Sequence, residues 1–268
     1  MGSSLGKSQQ TSTPINEVHK SNVVRDVSSN KDWVFDTFVG VISTNISLRS
    51  NMPPVYQCSS NRSIACAIAS LIAYDSQNQM NPSIDFIHYN ARLDNNGVIN
   101  ITEEMNIRSG FKALKRYGVC HADTFPNNEF YDDITPGDTA YNEAELYKSI
   151  EYYRIYNDDI SELRKCIAMG FPVIFALEFF ESSSIGNGDN YVLTHLPEND
   201  VAIGSFAFVA IGYDDIFGLV EFRNFRGESW GDSGYGFINY DYMKKHAHSM
   251  WVLRTVAYDY DDDPGDMF

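Results

Sequence analysis

Near residue 170 the chain changes character, and that change limits the folds open to it. Before it, apolar residues recur at helical spacing. After it, β-branched and aromatic runs alternate with Gly/Asp turns. The run from Ala65 to Tyr74 predicts a buried helix, small on one face and bulky on the other. Ile107 to Tyr117 predicts a second, amphipathic helix that Gly118 ends, and Ile160 to Met169 a third, with Ser161 as N-cap and Gly170 as stop. The segments 171–179, 206–213, 219–224, 236–238 and 250–258 predict strands. Helices first and strands second describe an α+β protein, not a βαβ alternation.

The flanks divide by composition. Residues 1–30, rich in Ser, Asn and Gln, predict a flexible N-terminal arm. A lead-in covers 31–52, the domain proper 53–258, and an acidic tail 259–268. Lys and Arg number 20 against 36 Asp and Glu, a net charge of −16 that repels phosphate backbones and argues against nucleic-acid binding. No segment offers the roughly 18 continuous apolar residues of a membrane span. The N-terminus has no apolar leader, so secretion through a signal peptide is not expected, and a cytoplasmic location is. Gly2 partly matches an N-myristoylation signal, although Gly6 stands where Ser or Thr is preferred. Cys58, Cys66, Cys120 and Cys166 form no C-x-x-C pair, so neither a disulfide framework nor a metal site is expected, and nothing calls for a cofactor.

Two stretches carry more specific information. One runs Gly204-Ser-Phe-Ala-Phe-Val-Ala-Ile-Gly212-Tyr-Asp-Asp215; the other runs from Arg223-Asn224 through Trp230-Gly231 to Gly236-Phe237. Together with Pro54-Val55-Tyr56, 86–92 and 108–120, they resemble the papain-like cysteine peptidases, in the compact branch found in microbes and large DNA viruses. The resemblance covers about residues 53 to 257. It implies a helical lobe and an antiparallel β-barrel-like lobe with a groove between them, and its viral branch adds a virion-associated location as the alternative to a cytoplasmic one.

That family needs a Cys at a helix N-terminus, a His that holds the thiol's proton as an imidazolium and later gives it to the leaving amine, an Asn to orient the His, and a Gln six residues before the Cys to hold the oxyanion. Carried over residue by residue, the His position holds Phe206, and no His lies between 204 and 208. Asn224 keeps the Asn position, while Arg226 replaces the Trp that shields it. The family's acidic residue ten past the Cys puts Asp75 in step with Ala65 as the nucleophile position, with Cys66 next to it as the alternative. Gln57 is of the oxyanion type but precedes Ala65 by eight residues, and Ser59 stands six before it. The favoured expectation is a pseudopeptidase with former-site positions Ala65, Phe206 and Asn224, acting as a structural or protein-binding component with a protein or peptide partner. The alternative is an active peptidase using Cys66, Asn224 and Gln57 with a borrowed base, His195 or His88. In the first case Phe206 is expected to be buried between the lobes.

Overall fold

The computed structural model describes residues 22–27, 29, 32, 34–35, 40–93, 97–99, 104–127, 134–148, 150–155, 160–181, 191–193 and 199–255. Gly2, His195 and the acidic tail lie outside them. The chain begins with a short strand, β1 (Asn22–Val23), then β2 (Asn45–Ser47) and helices α1 (Ser63–Asp75) and α2 (Ile84–Ala91). Next come β3 (Glu104–Met105), α3 (Ile107–Tyr117), α4 (Asp138–Ala144), β4 (Ile150–Ile155) and α5 (Ile160–Ala168). The remainder is β5 (Val173–Phe180), β6 (Val192–Leu193), β7 (Ala202–Asp214), β8 (Leu219–Arg223), β9 (Tyr235–Asn239), α6 (Tyr240–His246) and β10 (Ala247–Thr255). This is the α+β fold expected, a helical lobe beside a mostly antiparallel sheet.

Local chemistry sets the helix ends. Ser83, Asn106 and Asn239 cap α2, α3 and α6 by accepting the N–H groups of Phe86, Ser109 and Tyr242. Gly118 closes α3 at φ 72°. Ser161 lies inside α5 rather than capping it, because that helix begins at Ile160. The strand order is β4-β10-β5-β7-β8-β9-β6. The thirteen-residue β7 pairs with β5 along one edge and with β8 along the other, but β8 joins only from Val209 onward. The edge of β7 at Phe206–Phe208 is therefore open to whatever packs there.

Helix α1 fills that space. Every residue from Ser63 to Ala73 is buried. Ile64 and Ile68 press against Gly110 of α3, where a Cβ would stand 2.5 Å from Ile68 Cδ1 and 3.1 Å from Ile64 Cγ2. Only glycine lets the two helices approach this closely. Met243, Trp251, Phe175 and Phe222 complete a core that continues from helices into sheet. No helix among the described residues is long and apolar enough to cross a membrane.

One element departs from expectation. Residues 22–27, read from sequence as part of a flexible arm, are laid into the domain. β1 runs parallel to β3 on one side and bridges to Ser205 of β7 on the other, so this strap joins the helical lobe to the β lobe. The Val24 N–H donates to Met105 O at 2.9 Å, and the Asp26 N–H to Ser249 Oγ at 2.8 Å. Trp251 Nε1 donates to the Asp26 carboxylate at 2.7 Å. Sequence composition missed this because two residues of strand carry no periodicity.

In the helical lobe His88 is buried, and neither ring nitrogen has a hydrogen-bond partner among the described residues. Burial, then the nearby cations of Arg92 and Arg62, lower its pKa to about 3. The folded protein thus holds His88 neutral while the unfolded chain protonates near pH 6.5. Its contribution to stability is complete above that value and declines as pH falls toward about 3, by roughly 3 kcal/mol at pH 4. Replacement by Phe is expected to leave stability at pH 7 equal or higher and to flatten this decline. Chemical denaturation at pH 7, 5.5 and 4 checks it; parallel pH profiles for the two proteins would refute the assignment.

Candidate functional site

The site forms where the open edge of β7 meets the first turn of α1 and the segments 56–58 and 224–227. Arg223, at the end of β8, is buried and donates from both terminal nitrogens to the carbonyls of Pro53 and Pro54. It lies over the Tyr56 ring, 5.2 Å from its centre. This ties the lead into α1 to the strand that delivers Asn224. The Cys58 N–H donates to Phe225 O at 2.9 Å and the Gly227 N–H to Tyr56 O at 3.1 Å, so Gln57 stands opposite Arg226. Gly227, at φ 79°, brings its backbone so near that a Cβ would lie 2.9 Å from Gln57 Oε1. Gln57 is exposed there, at the rim of the site.

Phe206 is 2% exposed. Its ring meets Phe179 edge-on at 5.7 Å and Phe225 at 5.9 Å, and Phe208 packs on Phe179 and Phe225 in turn. The four rings form one apolar cluster, which fits the burial expected for this side chain. Asn224 is also buried. Its side-chain oxygen accepts the N–H of Phe225 at 2.6 Å, and its own N–H donates to Gly234 O at 2.9 Å. It holds the backbone turn at the end of β8. Arg226 stacks 6.0 Å from the Phe225 ring, and burial lowers its pKa.

The α1 residue that reaches this place is Ser63, which sequence analysis did not single out. Its hydroxyl accepts the N–H of Ala207, the residue after Phe206, at 3.2 Å. Ile64 and Ile68 face α3, as described. On a 3.6-residue helix, Ala65 stands roughly 200° round from Ser63 and so points away from β7. Cys66 is buried one turn in; nearby, burial raises the Tyr56 hydroxyl's pKa to about 12 against the opposing pull of the Arg223 guanidinium. Among the described residues Cys66 makes no contact with an imidazole. Asp75, the residue that put Ala65 in step, lines a separate cavity of about 430 Å³ at the other end of α1. A signal for Ser63 was present in the sequence: Gln57 precedes it by six residues, the spacing the family requires, and Phe206 follows it by 143, within the roughly 130–150 expected.

Of the two candidate bases, His88 makes no hydrogen bond to Ser63 or Cys66. His88 lies in α2 with the surroundings given above, and His195 is outside the described residues. His248 touches Ser205 Oγ through Nε2 at 3.0 Å and Ser249 Oγ through Nδ1 at 3.1 Å, so both nitrogens are engaged next to the strap. No group of three or more His, Cys, Asp and Glu among the described residues is placed to hold a metal ion.

No family model matches the chain. It is 29% identical over 211 residues to an uncharacterized peptidase C1-like protein of Acanthamoeba polyphaga mimivirus, a match spanning 75% of this chain and 67% of the viral one. Among solved structures it is similar to xylellain, a cysteine protease from Xylella fastidiosa, with a TM-score of 0.80 and 27% identity over 89% of this chain and 98% of that one. Digestive procathepsin L 3 of Tenebrio molitor larval midgut superposes with a TM-score of 0.64 at 15% identity, covering 90% of this chain and 77% of its own.

Two substitutions probe the packing. Phe206→His, although it installs an imidazole, removes a ring from a four-ring cluster and buries a polar group, and is expected to cost on the order of 2–4 kcal/mol. Ser63→Ala leaves the Ala207 N–H unpaired and is expected to cost about 1–2 kcal/mol. Denaturant midpoints measure both. An unchanged or raised midpoint for Phe206→His would mean that the ring does not bear on the lobe interface.

Proposed function

We infer that this chain, which has the papain-like fold and resembles the papain-like cysteine peptidases in sequence, acts as a non-catalytic binding or structural component. The observation that carries this reading is Phe206. A phenyl ring at the base position neither takes nor returns a proton, and losing one member of such a unit costs on the order of 10⁶ in rate. The register that places Ser63 at the nucleophile position supports it. A hydroxyl without a neighbouring base is a weak nucleophile, and this one is already an acceptor for the Ala207 N–H.

The strap supports a peptide partner. The chain's own extended residues lie between β3 and β7, held through the backbone. Another extended segment would bind these edges by adding as a strand, in place of β1. Peptide recognition then uses backbone groups that survive the loss of the Cys and the His.

Two experiments test this. The purified protein is expected neither to turn over a fluorogenic peptide library nor to react with a groove-directed epoxide; stoichiometric labelling at Cys66, abolished by Cys66→Ala, would overturn the reading. In a Phe206→His background, Ser63→Cys is expected to give a thiol alkylated by iodoacetamide below pH 7, while Ala65→Cys does not. The opposite pattern would move the register back to 65.

A further inference from the structure

Beside the strap lies a cavity of about 530 Å³ that the peptide-binding reading leaves without a role. Four separate segments wall it: Val23–Arg25 at the end of β1 and just past it, Glu178 of β5, the start of β7 up to Ser205, and Lys245, His246 and His248 where α6 meets β10. On a protein of net charge −16, this cavity gathers two lysine or arginine side chains and two imidazoles around one carboxylate. The carboxylate, Glu178, is 3.6 Å from His246 Nδ1. Arg25 and Lys245 are both exposed, and neither has an ion-pair partner among the described residues.

The wall is also shaped by the backbone. Gly204 pairs with Phe179 but Ala202 with Phe180, so Ile203 is an extra residue bulged out of the β5 ladder. Gly204 takes φ 149°, a conformation other residues rarely adopt. The two imidazoles are neutral near pH 7, which leaves Arg25 and Lys245 as the cations of this wall against the single carboxylate of Glu178. Burial first and Arg25 second lower His248 to about 4, and burial first, with Lys245 adding to it against Glu178, lowers His246. An anion between the two cations would meet a net positive lining on an otherwise acidic protein, which is a reason for one to bind.

We propose that this cavity is an oxyanion site, in which a carboxylate or phosphate bridges Arg25 of the strap and Lys245 of α6. The bridge would fasten the strap to the β lobe, because Arg25 lies between Val24 and Asp26, the two residues whose N–H groups anchor it. A ligand that binds only the fastened state stabilises it by mass action, so at ten times its Kd local opening of the strap slows about tenfold.

The test uses the intact protein titrated with sodium phosphate, sodium acetate or sodium chloride at equal ionic strength. The His246 and His248 ring resonances and the exchange of the Val24 and Asp26 amides are followed by NMR. Saturable shifts with phosphate or acetate but not chloride are expected, with slowed exchange of those two amides and none at α3. Tighter binding in the phosphate arm identifies a phosphorylated ligand, and tighter binding in the acetate arm a carboxylate. Arg25→Gln and Lys245→Gln, both at exposed positions, should each abolish saturation, and Glu178→Gln should tighten binding several-fold. An equal response to chloride, or saturation that persists in both Gln variants, overturns the site. Saturation without slowed exchange overturns the fastening.

Discussion

A helix with no solvent face governs this molecule. Because all of α1 from Ser63 to Ala73 is buried, each of its side chains is chosen by a neighbour: isoleucines where α3 offers Gly110, small residues where strands cross close by. Such a helix tolerates polar atoms only where a partner waits. Ser70 returns its hydroxyl to the Cys66 carbonyl, and Ser63 meets the Ala207 N–H that β8 leaves unpaired. The same helix N-terminus that can favour a thiolate in a peptidase here sits over an apolar cluster.

That cluster is part of what keeps the site in shape. Arg223 clamps Pro53 and Pro54, segment 56–58 pairs with 225–227, and Phe206 is locked among Phe179, Phe208 and Phe225. These contacts are made by backbone groups, an arginine clamp and packed rings, none of which needs a reactive side chain. Asn224 makes the point on a small scale, since its side chain is satisfied by the neighbouring backbone and needs no imidazole.

The strap adds a second layer. It contributes little apolar surface beyond Val23, yet it is held through the backbone to both lobes and through Asp26 to Trp251 and Ser249. Elements secured by a few hydrogen bonds are those that open first. The edges of β3 and β7 at the strap stay covered until such an opening.

The sequence by itself determined the fold class and most of the elements, because buried helices and paired strands impose periods on composition that survive without a structure. The helix at 107–117 with its glycine stop and the 206–213 strand are legible for that reason. It also determined that position 206 holds no base, since that is a matter of residue identity. Which side chain of α1 faces that position was left between two sequence spacings, Asp75 pointing to Ala65 and Gln57 to Ser63, and the tertiary structure decided it. A one-dimensional match to Asp75 favoured Ala65, but a shift of two residues turns a helix by about 200°, and only packing against Gly110 and the open edge of β7 fixes that rotation. The structure alone also placed β1, because two residues bonded through their backbones leave no pattern in their side chains for a sequence to show.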